Sequence, residues 1–181
     1  MEITEMNRIK AFDLKNADEA ILKKIFTLNE SYAPFLGPLE KIDNLKRLLS
    51  MSKYSTYITN DNEICGFMIC FDEKTSYESK NYEYFKKKHN KFFYVDRIGI
   101  ANRFKNKGLG TFLYKKIIDL NKNDDIKICA EVNVKPFNEE SVNFHEKMGF
   151  KAVFEKEFNP NYAIRYYERD ICRVRKIHKS Q

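Results

Sequence analysis

A glycine-rich loop between two apolar segments carries the clearest chemical signal in the sequence. Residues 105–110 read KNKGLG, after an apolar strand at 92–101 and before an amphipathic helix at 111–122. The first N–H groups of a helix are unpaired, lie at the positive end of its dipole and bind anions. The two glycines let a phosphate approach the main chain, and the two lysines add positive charge. The segment predicts a pyrophosphate-binding loop, and a tight loop without a ligand is the alternative.

Other phosphate motifs fit this segment less well. A P-loop requires Gly-Lys followed by Ser or Thr, whereas Gly110 is followed by Thr111 and Phe112. A dinucleotide fingerprint requires a third small residue at position 113, which here is Leu113. The loop is therefore predicted to bind a pyrophosphate in a different setting from these two.

The loop resembles the signature of the GNAT superfamily of N-acetyltransferases, which is Arg or Gln, two residues, Gly, one residue, then Gly or Ala. Lys105 stands at the first position and keeps the charge, but it lacks the planar fork of arginine. A second match runs from Asn138 through Ser141 to Gly149-Phe150, with His145 where the family often has Tyr. Two matches in the right order make the resemblance more specific than either one alone.

The resemblance implies an α/β fold with a central, mostly antiparallel sheet whose fourth and fifth strands splay apart between flanking helices. A closer likeness, to a bacterial branch of predicted GNAT acetyltransferases with no settled substrate, rests on the strings NYEYFKKKHNKFFYVDR and EVNVKPFNEESVNFHEKMGF. The family uses acetyl-CoA as co-substrate, with its pantetheine arm in the gap between the splayed strands. The residues expected to bind it are Ile98, Ile100, Lys105, Asn106, Lys107, Gly108, Leu109, Gly110, Thr111, Asn138 and Ser141.

Three residues are candidates for proton transfer. An amine with a pKa of about 10.4 is nearly all protonated at neutral pH, so a base or a water chain must remove its proton. Asp96 on the central strand and Glu131 on the next strand can both face the gap, although Asp96 could instead form an ion pair with Arg97. A mechanism without a single base also stays open. His145 is expected either to reprotonate the leaving thiolate or only to pack on the co-substrate.

The elements that must position these residues follow from apolar periodicity and from turn residues. The predicted order is a strand at 7–13, helices at 17–32 and 40–51, and a hairpin at 54–60 and 63–71. Then follow a helix at 76–89, the strand at 92–101 and the helix at 111–122. The last predicted elements are a strand at 126–134, a helix at 138–148 and a hairpin at 150–158 and 163–171. Asn16 is the predicted N-cap of the first helix, and the N-cap of the 138–148 helix is the alternative role for Asn138.

Composition limits the class of protein. The 181 residues predict one domain at 1–172 with a basic tail at 173–181. The chain shows neither a long apolar run nor a signal peptide, so we expect a cytoplasmic protein without a membrane partner. The spacing of the four cysteines favours buried free thiols, and no metal site is predicted. The net charge of +7 suits an anionic partner such as coenzyme A.

The leading hypothesis is transfer of an acetyl group from acetyl-CoA to a primary amine of a small molecule or protein. The acceptor itself is not predicted by any motif, and a homodimer is compatible with the sequence. A non-catalytic acyl-CoA sensor or partner-binding module on the same fold is the alternative. A nucleic-acid-binding protein is disfavoured, because the sequence has no recognition helix or aromatic RNA-binding signature.

Overall fold

Seven strands form one mixed sheet in the computed structural model, which describes residues 8–122 and 124–171. The strands are β1 Ile9–Asp13, β2 Tyr54–Asn60, β3 Glu63–Asp72, β4 Phe92–Ile100, β5 Ile126–Lys135, β6 Lys151–Asn159 and β7 Tyr162–Ile171. Their order in the sheet is β1-β2-β3-β4-β5-β7-β6. Among the strands described, β4 and β5 are the parallel pair and the other neighbours are antiparallel. The predicted mixed α/β fold is confirmed.

Helices cover both faces of this sheet. They are α1 Glu19–Glu30, α2 Ile42–Met51, α3 Lys80–Lys88, α4 Leu109–Leu120 and α5 Glu139–Lys147, with short 3₁₀ helices at Leu14–Asn16 and Asn102–Phe104. Successive side chains of a strand point to opposite faces. Phe93 and Val95 of β4 accordingly join the core under α4 and α5, whereas Phe92 and Tyr94 join the core under α1, α2 and α3.

The parallel strands β4 and β5 separate after a short stretch of pairing. They pair from Phe92–Lys127 to Tyr94–Cys129 and then diverge. On its other side, β4 carries one extra residue, Asp96, because Ile69 and Cys70 of β3 lie opposite Arg97 and Val95. Such a bulge bends a strand and increases its twist. The predicted splay of the fourth and fifth strands is therefore confirmed, and a gap opens between their carboxyl halves.

The connection between β3 and β4 is long for antiparallel neighbours. Two residues suffice to join such strands, but here residues 73–91 intervene and carry α3. Tyr82 and Phe85 of α3 are fully buried. These two rings anchor the helix to the sheet, so the segment is a fixed part of the core.

The structure corrects two local predictions. The N-cap of α1 is Asp18, whose Oδ1 accepts from the N–H of Ile21 at 2.8 Å, while Asn16 lies in the preceding 3₁₀ helix. Helix α4 begins at Leu109 instead of Thr111, because the N–H of Phe112 already donates to the carbonyl of Gly108.

Three of the four cysteines lie within the described residues. Cys65, Cys70 and Cys129 are free and buried, as predicted, and burial raises the pKa of the Cys65 thiol to about 11. Cys172 and the basic tail at 173–181 lie outside the described residues. None of the helices in the described part combines the length and apolar character that crossing a bilayer requires.

Candidate functional site

The N-terminus of α4 opens onto a cavity. Gly108 is its N-cap, with a φ of 76°, and Asn106 two residues earlier has a φ of 59°. Leu109, Gly110 and Thr111 form the first turn, in which N–H groups have no partner within the helix. A Cβ added at Gly108 would meet nothing within 4 Å. The first turn therefore presents N–H donors beside open space, as a bound phosphate requires.

The first cavity, of about 400 Å³, lies between this loop, the end of β4 and α5. Apart from Lys107, every residue predicted from the sequence to bind acetyl-CoA lines it, and His145 does so too. The Lys107 ammonium instead lies over the Phe104 ring, 5.7 Å from its centroid. Lys107 is thus the predicted binding residue that the structure leaves out of the cavity.

Lys105 lines the first cavity but is held by an acidic neighbour. Its Nζ lies 2.8 Å from Glu140 Oε2 on α5 and 5.3 Å from the centroid of the Tyr32 ring. The Glu140 hydrogen bond raises the pKa of Lys105, so its charge is retained. The pair joins the two walls of the first cavity.

Asn138 caps α5 at the far wall of this cavity. Its Oδ1 accepts from the N–H of Ser141 at 3.1 Å, which is the capping alternative predicted from the sequence. Glu139 and Glu140 follow in the first turn. The Asn138 amide nitrogen is not used by this cap, so capping leaves a donor for a ligand.

His145 has both ring nitrogens engaged. Nδ1 lies 2.7 Å from the carbonyl oxygen of Ser141, and Nε2 lies 2.8 Å from the hydroxyl of Tyr114. Since a carbonyl can only accept, Nδ1 carries the proton and Nε2 accepts from Tyr114. Burial lowers the pKa of His145 to about 4. The one proton of His145 is donated to the main chain, which favours the packing role that the sequence left open over reprotonation of a thiolate.

The main chain of β4 faces the gap at alternate residues. The hydroxyl of Tyr32 donates to the carbonyl of Ile100 at 2.6 Å and accepts from its N–H at 2.8 Å. Polar groups of an antiparallel strand alternate in direction, so those of Ile98 face the same gap. Of the two predicted pairing positions, Ile98 is therefore open, and Ile100 is already bonded to Tyr32.

A narrow neck links the first cavity to a second one. The neck has a volume of about 60 Å³ and is lined by Ile98 and His145 of the first cavity, and by Asp96 and Glu131. The second cavity, of about 350 Å³, includes Asp96 and Glu131 in its wall. Its other lining residues are Pro34, Phe35, Leu36, Gly37, Tyr77, Ser79, Asn81, Arg97, Asn133 and Tyr162. The two cavities meet in the gap between β4 and β5.

Glu131 projects from β5 at the junction of the neck and the second cavity. Its Oε1 accepts from the hydroxyl of Tyr94 at 2.7 Å and from Nδ2 of Asn81 at 3.2 Å. Its Oε2 is buried and has no hydrogen-bond partner. Desolvation by burial raises the pKa of Glu131 to about 8, against the lowering effect of the Tyr94 hydrogen bond. The geometry thus leaves one oxygen free for a further partner.

Asp96 is coupled to a cation, unlike Glu131. Its Oδ2 lies 3.2 Å from Nε of Arg97 in an ion pair, although the two atoms are not aligned for a hydrogen bond. Burial raises the pKa of Asp96, whereas the charge of Arg97 opposes this change. Arg97 also donates through one terminal nitrogen to Asn29 Oδ1 at 2.8 Å and to the Gly37 carbonyl at 2.6 Å. The ion pair that the sequence left open is present, and the other hydrogen bonds of Arg97 tie the bulge of β4 to α1 and to the segment after it.

Several residues of this site carry no local sequence signal. Tyr32, Asn81 and Tyr114 were not predicted, because each meets the gap through contacts between distant segments. Tyr77 also lines the second cavity. Within the described residues, no group of three His, Cys, Asp or Glu side chains is arranged to hold a metal ion.

Comparisons with known proteins agree with this architecture. A family model described as the acetyltransferase (GNAT) family matches residues 22–150. No curated protein sequence matches the chain. Among solved structures, the ribosomal-protein-S18-alanine N-acetyltransferase from Escherichia coli has a TM-score of 0.68 at 12% identity, covering 93% of this chain and 97% of that one.

Two further solved structures are similar to the same extent. Ard1 from Thermoplasma volcanium has a TM-score of 0.68 at 12% identity and covers 91% of this chain and 99% of its own. Naa50 from Arabidopsis thaliana, in complex with the bisubstrate analogue CoA-Ac-MVNAL, has a TM-score of 0.65 at 14% identity and covers 90% and 98%. At these identities the likeness shows a shared fold.

Proposed function

We propose, since the chain belongs to the acetyltransferase (GNAT) family, that it transfers an acetyl group from acetyl-CoA to a primary amine. The observation that carries this proposal is the neck, which joins a cavity with an open helix N-terminus to a cavity with a free carboxylate oxygen. The similar protein from Escherichia coli is named an N-acetyltransferase, and Arabidopsis Naa50 was solved with a CoA-peptide analogue. A small-molecule or peptide amine is the corresponding acceptor class.

The lining of the first cavity supports binding of coenzyme A in this proposal. Open space stands above Gly108, and the N–H groups of the first turn of α4 are available to a pyrophosphate. Asn138 and Ser141 line the opposite wall, and the main chain of Ile98 faces the gap where the pantetheine amides would pair. Bound acetyl-CoA supplies an activated acetyl group. The chain supplies its position, and a main-chain N–H of β4 near Ile98 supplies an oxyanion donor.

Glu131 is the general base in this proposal. Its free Oε2 lies in a wall shared by the neck and the second cavity, so it can accept a proton from an amine bound there. A pKa of about 8 lies between that of a carboxylate in water and that of an alkylamine, which suits uptake and later release of a proton. Asp96 is less suited, because Arg97 holds its carboxylate in an ion pair.

His145 and Tyr114 support the neck in a different way. The Tyr114 hydroxyl donates to His145, and His145 donates to the main chain of α5. Both groups are fixed and neutral, so they shape the neck without a net charge. We assign them a packing and orienting role beside the co-substrate.

The proposal is tested first by binding. Acetyl-CoA should raise the Tm of the protein, and Gly108→Asp should abolish this rise, because a carboxylate would then stand where the phosphate binds. Gly149→Asp is the matched control, since Gly149 has a similar left-handed φ of 80° and open space around it but does not line the first cavity. Absence of any shift with the unaltered protein would refute the proposal.

Turnover separates the enzyme from the non-catalytic sensor. Thiol release should be measured with a thiol-reactive dye across amino acids, polyamines, aminoglycosides and peptides. An acetyltransferase releases thiol with at least one amine, and Glu131→Gln lowers kcat by about 100-fold or more while keeping the acetyl-CoA shift. Binding of acetyl-CoA without thiol release for any amine would favour the sensor.

A further inference from the structure

Helix α3 brings a polar side chain from outside the strands into the second cavity. It lies in the connection of residues 73–91, where a two-residue turn would have sufficed. The buried rings of Tyr82 and Phe85 anchor it, and the Tyr82 hydroxyl donates to the main chain of Asp72 at 2.7 Å. Asn81 precedes Tyr82 and lines the second cavity. Its place in the cavity is therefore set by the core.

The orientation of the Asn81 amide is determined by two partners. The hydroxyl of Tyr166 on β7 donates to Asn81 Oδ1 at 3.0 Å. The other end of the amide, Nδ2, then faces Glu131 and donates to Oε1 at 3.2 Å. Because an ionised carboxylate oxygen can only accept, Glu131 requires the Nδ2 end of the amide, and the Tyr166 hydroxyl, which can donate, satisfies the Oδ1 end.

We propose that Asn81 is a positioning residue for Glu131, which it holds together with Tyr94 through Oε1 so that Oε2 stays free to accept the proton of the acceptor amine. This inference rests on the proposed function of Glu131 as the base. Two neutral donors on the same oxygen fix the rotamer of the carboxyl group and stabilise its ionised form. The β3–β4 connection therefore contributes to proton transfer as well as to the wall of the second cavity.

The effect of Asn81 on protonation has a definite sign. Burial raises the pKa of Glu131, the nearby charge of Asp96 raises it further, and the hydrogen bonds from Tyr94 and Asn81 lower it. Loss of the Asn81 donor should therefore raise the pKa of Glu131, and a carboxylate at position 81 should raise it more. Further titratable or charged groups that face this carboxyl group come from β4, β7, α4 and the segment before α3, and they are Asp96, Arg97, Tyr77, Tyr94, Tyr114, Tyr162 and Tyr166.

The direct test follows the Glu131 carboxyl group by ¹³C NMR in the full chain, with Glu131→Gln identifying its signal. We expect the carboxyl group to titrate near pH 8 in the unaltered protein. Asn81→Ala should move this titration upward by about one pH unit, the size expected for one hydrogen bond to a charged group, and Asn81→Asp should move it further. Glu83→Gln, on the exposed side of α3, is the matched control and should leave it unchanged.

A second readout uses turnover with the best amine of the panel. In the pH profile of kcat/KM, the acid limb of Asn81→Ala should shift to higher pH by the same amount as the NMR titration of Glu131. At high pH, where Glu131 is ionised in both proteins, the rate of Asn81→Ala should recover toward that of the unaltered protein. If the titration of Glu131 is the same with and without the Asn81 side chain, the inference is wrong even if the protein is an acetyltransferase. If the titration moves but Glu131→Gln retains the acid limb, the assignment of Glu131 as base fails, and the positioning role fails with it.

Discussion

A single hydroxyl of Tyr32 satisfies both main-chain polar groups of Ile100, donating to the carbonyl at 2.6 Å and accepting from the N–H at 2.8 Å. Tyr32 follows α1, so this contact ties the segment after the helix to the end of β4. The groups it satisfies are those on the side of β4 that faces the gap. A pantetheine amide that pairs with Ile100 must therefore displace Tyr32.

Removal of the Tyr32 hydroxyl should lower the stability of the free protein and increase its stabilisation by acetyl-CoA. We expect Tyr32→Phe to lower the free energy of unfolding by about 1–3 kcal/mol, since two main-chain groups lose their partner. The rise in Tm with acetyl-CoA should be larger in Tyr32→Phe, because the ligand no longer competes with the hydroxyl. Thermal melts with and without acetyl-CoA measure both effects. A smaller ligand-induced rise in the variant would mean that Tyr32 stays in place in the complex.

The Lys105–Glu140 pair should oppose binding of an anionic co-substrate. In Glu140→Gln the ammonium of Lys105 is released toward the first cavity, so KM for acetyl-CoA should fall by about two- to five-fold, the range of a partly exposed ion pair. The decrease in KM should become smaller at higher salt, because salt screens the attraction between the Lys105 ammonium and the phosphates. Glu139→Gln, at the neighbouring exposed position, is the control. An increase of KM in Glu140→Gln would indicate that Glu140 orients Lys105 for the phosphate.

Glu131 should make stability depend on pH. Its pKa is raised from 4.5 to about 8, so the folded state binds this proton more tightly than the unfolded state does. The stability that this tighter proton binding gives to the folded state is present below pH 4.5 and is lost as the pH rises to about 8. Glutamine does not titrate, so the unaltered protein should lose stability relative to Glu131→Gln as the pH rises. The difference in Tm, taken as Glu131→Gln minus the unaltered protein, should grow by several degrees between the two pKa values. Calorimetry at several pH values tests this, and a constant difference would contradict it.

His145 should remain neutral under assay conditions. Burial lowers its pKa to about 4, and the carbonyl of Ser141 fixes the proton on Nδ1. Side-chain ¹H–¹⁵N NMR should therefore report the Nδ1–H tautomer without titration between about pH 5.5 and 8. Tyr114→Phe should alter the Nε2 shift and leave the tautomer unchanged. A proton on Nε2 at neutral pH would restore His145 as a candidate acid.

The first cavity was predictable because local sequence determines it. Residues 105–110 and the cap at Asn138 are short segments whose main-chain geometry follows from their glycines, their asparagine and the adjoining helices. Lys107 fell outside the cavity, since the turn directs its side chain over Phe104, and spacing does not report that direction. The helix starts at Leu109 and Glu139 differ from prediction by two residues or fewer.

The second cavity was not predictable beyond its two carboxylates. The alternation of β4 and β5 placed Asp96 and Glu131 at the gap, but their partners come from distant parts of the chain. Asn81 meets Glu131 across 50 residues, and Arg97 meets Asn29 across 68 residues. Such contacts depend on tertiary packing, for which a single sequence offers no periodic signal.

The neck has a consequence for the order of chemical events. It shares lining residues with the first cavity and with the second, so we expect that donor and acceptor can occupy the protein together, one in each cavity. Cys65, Cys70 and Cys129, the thiols of the described residues, do not line the neck or either cavity, so none stands ready to carry the acetyl group in between. Under the proposed function we therefore expect a ternary complex with sequential kinetics, and double-reciprocal plots at varied acceptor should intersect where a ping-pong enzyme would give parallel lines.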